Sequence, residues 1–317
     1  MACLPILAWV AGKRLLSTSE KHSTRRIVLP TADVLFATYA GQPEPTADDQ
    51  LVVDALRRRG VVARGAPWDG EDVNWAASRM TVLRSTWDYH LRYEEFLHWL
   101  DRVAACTALH NEPALVRWNS HKGYLEQLAE RGVRVIDTVF AEAGDLVDLD
   151  ALARRHRWTD VVVKPAVSAS AYETRHYAPS EREAAQGHLE RLLLGGDAIL
   201  QPHVATLAER GELSLLFIDG RFTHAVRRRS ALTSVAAMPK SAATEAPRGA
   251  VRAGEQVLSE TLGAAGVTGP PLYARVDLAE EGDGYLLLEA ELVEPSLFFR
   301  HAPAAAEQMA AAIVRRL

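Results

Sequence analysis

Three carboxylates and a guanidinium fall at alternating positions in one short stretch, YARVDLAEEGDGYLLLEAELVEPSLFF, residues 273–299. Two strand-like runs, YARVDL and YLLLEAEL, flank a polar, glycine-containing connection from Glu280 to Gly284, which predicts a hairpin. Side chains alternate along a strand, so Arg275 and Asp277 share one face while Ala274, Val276 and Leu278 share the other. On the second run Glu289 and Glu291 stand opposite Leu288, Ala290 and Leu292. Centring the connection near Asp283 pairs Asp277 with Glu289 and Arg275 with Glu291. Carboxylates this close repel unless a proton or a cation intervenes, and a single Arg does not neutralise three. Hard oxygen donors with vacant positions suit Mg²⁺, which commonly takes one or two carboxylates together with substrate phosphates. Asp277, Glu289 and Glu291 are therefore the candidate metal ligands.

Cations that could meet phosphates lie upstream. Lys164 ends the apolar run VVVK just before Pro165, where a strand opens into the small-residue loop AVSASA, residues 166–171. Ser120 reads as a helix cap, Gly132 as its end, and Lys122 as a first-turn cation working against the helix dipole. Arg227, Arg228 and Arg229 close a second hairpin, residues 212–227, built on an Asp219-Gly220 turn. His224 alternates there with Phe222 and Val226 and reads as packed. No GxxxxGK[ST], GxSxG or HExxH occurs, so P-loop, serine-hydrolase and zincin chemistries find no motif.

These groups need elements to hold them. Residues 33–39 and 80–84 read as buried strands, with helices over 47–59 and 93–104 between and after them. That alternation predicts an α/β unit with a mostly parallel sheet, whose ligands bind beyond the strand carboxyl ends. Ser85, Thr86 and Asp88 of the STWDYH loop sit there and are the candidate substrate residues. Strand-like runs follow at 134–140, 161–164 and 198–201, with a helix over 180–194 and another over 303–317. A polar, Ala/Pro-rich segment, 230–249, has the length of a lid.

The order of these pieces resembles the ATP-grasp superfamily over roughly residues 31 to 300. The resemblance implies an α/β N-terminal domain followed by a two-lobed α+β ATP-grasp fold. Its parts would be an N-terminal extension (1–30), an N-terminal domain (31–118), a small ATP-binding lobe (119–200) and a large lobe with the metal site (201–317). It implies ATP and Mg²⁺ as cofactors, with Lys122 and Lys164 on the phosphates and a mobile loop at Ser168–Ala171. Gln201, Pro202, His203 and Val204 would hold adenine, and Glu209 the ribose. Asp277 and Glu289 match the family's metal ligands, with Glu291 where the family has Asn, and the loop lacks the family's glycines. More narrowly, RSTWDYH, VVVKPAVSASA, DGRFTHAVRRR, YARVDL and ELVEPSLF are similar to the subgroup that includes the O-ureido-serine cyclo-ligase of cycloserine biosynthesis.

That resemblance implies an ATP-dependent ligase. A carboxylate of a small amino-acid-like substrate becomes an acyl phosphate, and a nitrogen, intramolecular in the cyclo-ligase case, attacks it. Arg275 and Arg227 would stabilise the developing charge. Two other readings stay open: a nucleotide-binding protein without catalysis, and an ATP-independent metal hydrolase. The 317 residues suffice for about two domains. A net charge of −5 gives no footprint for nucleic acid, and no polybasic membrane anchor stands out. Cys3 and Cys106, without metal-ligand spacing, fit a reducing cytoplasm. The apolar run 2–12 lacks a preceding positive charge and favours an N-terminal extension over a signal peptide. Self-association is left open.

Overall fold

The computed structural model describes residues 32–229 and 240–317. The N-terminal extension, and residues 230–239 of the expected lid, lie outside the described residues. From Thr31 onward the chain forms one compact unit. It contains an α/β sheet followed by two antiparallel sheets, as the sequence implies.

The first sheet is parallel, with β1 (Val34–Thr38), β2 (Ala63–Pro67), β3 (Met80–Leu83) and β4 (Ala108–His110) in the order β2-β1-β3-β4. Every residue of β3 is buried, as expected of a parallel strand covered on both faces. Helix Gln50–Arg58 buries Val52, Val53, Ala55 and Leu56, and helix Tyr93–Ala104 buries Phe96, Trp99, Leu100 and Val103. The former starts later than the periodicity predicts. Thr46 and Asp49 hydrogen-bond each other at 2.9 and 3.1 Å in a preceding turn. Strands β2 and β4 escape sequence reading because ARGAP and ALH carry little apolar pattern.

The second sheet holds β5 (Val139–Ala141), β6 (Val161–Pro165), β7 (Arg175–Tyr177) and β8 (Ala198–Pro202), ordered β5-β8-β6-β7. The third holds β9 (Glu212–Ile218), β10 (Arg221–Arg228), β11 (Ser241–Thr244), β12 (Tyr273–Glu281) and β13 (Gly284–Glu291), ordered β11-β10-β9-β12-β13. The described end of the expected lid is thus not loop: residues 241–244 pair with β10. Long helix Arg248–Ala265 covers one face of this sheet, over Leu213, Leu215, Phe217, Val276 and Leu278. A Cβ at Gly254 would stand 2.6 Å from Leu215 Cδ1 and 3.0 Å from Phe217 Cζ, so glycine sets the approach of this helix. Its buried face includes Ala, Gly and Thr, and so carries little apolar signal in the sequence.

The opposite face of the third sheet is divided along its strands. Leu216, Ile218, Val226 and Tyr273 join a core with Phe36 of β1 and with Met309 and Ile313 of the C-terminal helix Pro303–Arg316. The continuation of the same strands, Glu212, Ser214, Arg228, Arg275 and Asp277, is polar. Two or three residues of strand separate core from cleft.

Two segments differ from expectation. The helix predicted from Ser120 starts later, at Tyr124–Glu130, and Lys122 lies between it and the helix Pro113–Asn119, its amide donating to Ala166 O at 2.8 Å. The strand predicted over 134–140 pairs only at 139–141, while Val135 bridges Leu287.

Two buried asparagines fasten the hairpin β12–β13. Asn111 Nδ2 donates to Tyr273 O (2.9 Å) and Leu292 O (2.7 Å), and its Oδ1 accepts from Leu272 N (2.7 Å). Asn119 Nδ2 donates to Ala290 O and its Oδ1 accepts from Leu292 N, both at 2.7 Å. Each amide acts as a short piece of strand edge. Leaving such buried backbone groups unpaired costs about 1–3 kcal/mol each. Asn111→Ala should therefore lower the unfolding free energy by about 3 kcal/mol or more in a urea titration; a change below about 1 kcal/mol would show that water replaces these bonds.

Candidate active site

The hairpin register is the one the alternation implies: Asp277 faces Glu289 and Arg275 faces Glu291. A bulge follows Asp277, so Leu278 pairs with Leu287. It changes one assignment. Leu287 joins the core, and Leu288, expected on the apolar face, lines the cleft beside Glu289.

The cleft encloses about 470 Å³ between the second and third sheets. Carboxylates of Glu212, Asp277, Glu289, Glu291 and Glu294 line it together with Lys122, Lys164, Arg228, Arg229 and Arg275. The expected surplus of negative charge is absent, because β10 and the small-lobe loops bring cations the hairpin itself lacks. Asp277, 2% exposed, is the most enclosed of these acids. Its Oδ1 accepts from Ser214 Oγ (2.6 Å) and Arg275 Nε (3.0 Å), and its Oδ2 from Arg228 Nη2 (2.7 Å) and Arg275 Nη2 (3.0 Å). Arg228 also binds Glu212 at 2.6 Å, and Arg275 reaches Glu291.

Arg227, the second expected catalytic arginine, points away. It donates to Glu280 Oε1 at 2.9 Å, outside the cleft, beside Arg210 on the same carboxylate. Thr223 is bulged out between Phe222 and His224, so Phe222 packs on the core side with Ala225 and Arg227 follows them. Arg228 takes the cleft face. His224 is packed, with Nε2 3.0 Å from Leu297 O.

Lys122 and Lys164, each 8% exposed, converge on one carboxylate. Lys164 Nζ donates to Glu289 Oε1 at 2.8 Å, and Lys122 Nζ lies 3.9 Å from the same oxygen while donating to Ser168 O at 3.1 Å. The loop Ser168–Ala171 lines the cleft, and Ser170 (φ 53°) and Ala171 (φ 57°) take left-handed conformations without glycine. Such backbone costs on the order of 1–2 kcal/mol per non-glycine residue. Gln201, Pro202, His203 and Val204 line the other end. The His203 ring stacks at 4.3 Å on His176, which pairs with Asp160 at 2.7 Å. Glu209 is exposed on the short helix Thr206–Arg210 and does not line the cleft; Glu212, at the start of β9, is the carboxylate that does. Alternation from Ser214 would have singled it out.

The STWDYH loop enters by other residues than expected. Ser85 and Thr86 are fully buried and their hydroxyls face the interior, without hydrogen-bond partners among the described residues. Asp88 is held by Trp68 Nε1 (2.8 Å) and Arg92 Nη2 (2.9 Å) and serves that loop. Trp87 and Tyr89 are the members that line the cleft. Facing them are Val293, Glu294 and Ser296, which directly follow the hairpin, and Trp87 Nε1 donates to Glu294 O at 3.3 Å. No sequence expectation attached to Glu294.

Electrostatics separates the acids. Burial opposes ionisation of Asp277, but Arg228 and Arg275 outweigh it and hold its pKa below the usual range. Burial likewise opposes ionisation of Glu289, and Lys164 and Lys122 hold it low. Burial raises Glu212 and Glu294, only partly offset by Arg228 and Lys122 respectively. Glu291 is pushed up to about 8 by burial; Arg275, shared with Asp277, offsets this only in part, while Asp277, Glu289 and Glu294 add to it. Glu289 and Glu291 each have one carboxylate oxygen in described hydrogen bonds or ion pairs, which leaves Oε2 of each for a hard cation. That donor set fits Mg²⁺. Asp277 does not share this freedom, since both its oxygens are taken.

Comparison with known proteins is consistent along the chain. The family model for the N-terminal domain of D-cycloserine synthetase DcsG matches residues 34–111. The cycloserine biosynthesis protein DcsG of Streptomyces lavendulae is 33% identical over 276 residues, 84% of this chain and 92% of that protein. The crystal structure of D-cycloserine synthetase DcsG superposes with a TM-score of 0.81 at 31% identity, covering 89% of this chain and 99% of that one. The ATP-grasp ligase PsnB, complexed with minimal precursor, Mg and ADP, shares the fold at 17% identity and a TM-score of 0.58, over 88% of this chain and 97% of that one.

The raised Glu291 gives a pH prediction. Its folded-state pKa, about 8, exceeds the ordinary 4.5, so its contribution to stability is complete below the lower value and is lost as pH rises toward the upper. In EDTA, Glu291→Gln should therefore gain melting temperature relative to wild type as pH is raised from 5 to 8, with the gain levelling off above that. The slope is at most about 1.4 kcal/mol per pH unit. Parallel curves for the two proteins would place the ionised Glu291 in full compensation by Arg275.

Proposed function

The chain belongs to the DcsG family of ATP-grasp ligases, and on that premise we propose that it closes a ring within one small amino-acid-like molecule. As a member it is an ATP-dependent carbon–nitrogen ligase. In the proposed reaction the γ-phosphoryl group of ATP passes to the substrate carboxylate, giving an acyl phosphate. A nitrogen of the same molecule then attacks the carbonyl carbon, the C–N bond forms and phosphate leaves. O-ureido-serine is the substrate we infer, because the 33%-identical relative is a cycloserine biosynthesis protein.

One observation carries the assignment of parts: both cleft lysines meet the carboxylate of the hairpin's Glu289. Phosphates arriving with a divalent cation would exchange these pairings, the lysines turning to phosphate oxygens and Glu289 to the metal. Mg²⁺, held by the open oxygens of Glu289 and Glu291, would offset the charge of the transferring phosphoryl group. Asp277 fixes Arg275 and Arg228 behind them, in reach of developing oxyanion charge. Backbone groups of Gln201–Val204 are the proposed adenine contacts, and Ser168–Ala171 the loop over the phosphates. Positioning and charge neutralisation suffice for such phosphoryl transfer, so no side-chain nucleophile is required.

The test is ADP release with each enantiomer of O-ureido-serine, followed by detection of a cyclic product. ADP release that needs a separate amine would replace ring closure by intermolecular ligation; no release with either would remove the reading. Two arginines make a sharper comparison. Arg228→Ala should lower kcat at least about tenfold, the loss expected for one charge-assisted contact, while Arg227→Ala should keep kcat within about twofold. Lys164→Ala should weaken Mg·ATP binding about 10- to 100-fold with little change in melting temperature. Unchanged nucleotide affinity in a folded Lys164→Ala protein would remove this lysine from the site.

A further inference from the structure

Glu294 is only 8% exposed and lines the cleft; its own backbone amide is the one hydrogen-bond donor described for its carboxylate, and no other described side chain reaches it. A buried carboxylate met only by a neutral amide is costly and calls for a cation or a proton. The neighbouring cations are already engaged. Lys122 holds Ser168 O and lies against Glu289, and Arg275 holds Asp277, Glu291 and Ser296 O. Arg84, on the far side, is committed to Asp49 at 2.8 Å and Pro295 O at 3.0 Å.

The surroundings of Glu294 narrow the kind of cation. Glu289 and Glu291, with their open oxygens, precede it on the strand and suit a metal. Around Glu294 the cleft is instead lined by Trp87, Tyr89 and Val293, surfaces that pack against carbon. Its backbone is fixed on both sides: Trp87 Nε1 donates to its carbonyl at 3.3 Å, and Pro295 follows it, which confines it to extended conformations. Its backbone is thus anchored at the aromatic, N-terminal-domain end of the cleft.

We propose that Glu294 is the subsite for the substrate's ammonium group, selecting a primary ammonium on a short carbon stem that also carries the carboxylate to be activated. This rests on the ligase reading above and adds the group that orients the substrate. Engaging the ammonium at Glu294 leaves the carboxylate of a small α-amino acid free to face Glu289, Lys164 and the phosphates. It also excludes substrates whose amine is acylated, because a neutral amide would leave the buried carboxylate uncompensated.

Glu294→Gln is the test, since glutamine keeps the shape and no partner in the protein is lost. We expect the KM for O-ureido-serine to rise about 10- to 100-fold, the loss of one charge-assisted hydrogen bond, with KM for Mg·ATP within about twofold. The melting temperature without ligand should not fall; a purely structural role would lower it. N-acetylated O-ureido-serine should be rejected by wild type. An unchanged KM in Glu294→Gln, or equal use of the N-acetylated compound by wild type, overturns the inference while leaving the ligase reading in place. A wild type that releases no ADP with any amino acid sinks the ligase reading instead. Serine with Mg·ADP then decides Glu294 by thermal shift: a shift in wild type that Glu294→Gln abolishes supports the subsite, and no difference removes it.

Discussion

The ionised Asp277 in the middle of β12 constrains the whole molecule. A carboxylate with 2% exposure is tolerable only with cationic and hydrogen-bonding partners on all sides, and it has Arg275 from its own strand, Arg228 from β10 and Ser214 from β9. Each partner comes from a different strand, so the charge is compensated only when β9, β10 and β12 are in register. A one-residue slip of β10 would send Arg228 to the apolar face, one of β9 would remove Ser214, and one of β12 would turn Asp277 itself toward the apolar side. The helix Arg248–Ala265 makes that slip costly from the other side, since the same shift would drive Leu215 and Val276 out of its core.

With Asp277 compensated internally, the acids free to take part in binding are those at the rim. Glu289 and Glu291 keep open oxygens, and the lysines bound to Glu289 are the only cations drawn from the opposite lobe among the described cleft residues. On the proposed reading, the cleft's charges pair across the two sheets, and a nucleotide with its metal exchanges one set of pairings for another. Little net charge then has to be desolvated on binding.

Much of this was legible in the sequence, for a physical reason. Period-two alternation, with a turn centred near Asp283, gives the register of the acidic half of the hairpin, beyond the bulge after Asp277, and Lys164 before Pro165 marks a strand end whatever the tertiary context. Where structure and expectation differ, the reasons are physical too. Thr223 adds one residue to β10 and exchanges the faces of Phe222 and everything before it relative to Arg227 and Arg228; alternation has no means of foreseeing a bulge. Ser85 and Thr86 look like substrate ligands by type and position, but the turn after β3 buries them and presents the aromatic residues on either side of Asp88. The helix over 248–265 is silent because alanine and glycine at a close contact read as neutral. Glu294 gives no signal in the sequence, because a lone acid before proline has no periodic partner.

Tyr273 ties the N-terminal sheet to the hairpin. Tyr273 opens β12, its hydroxyl lies 2.7 Å from Leu83 O and 2.8 Å from Val293 O, and the Arg84 guanidinium stacks over its ring at 4.9 Å. Leu83 ends β3, the strand that leads into Trp87 and Tyr89, while Val293 leads from the hairpin into Glu294. On the proposed reading, both walls of the substrate end are therefore referenced to the same hydroxyl, two residues from Arg275 and four from Asp277. Asn111 grips the chain on both sides of that point, at Leu272, Tyr273 and Leu292. A displacement of the hairpin that moved Glu289 or Glu291 would thus be felt at Val293 and Glu294 with no intervening loop to absorb it. Distance between the groups at the two ends is set by strand geometry, about 3.3 Å per residue, so a small substrate can span them only with one end fixed. A single-molecule ring closure asks for that same restriction, because the attacking nitrogen gains its effective concentration from being held, not from being bound tightly.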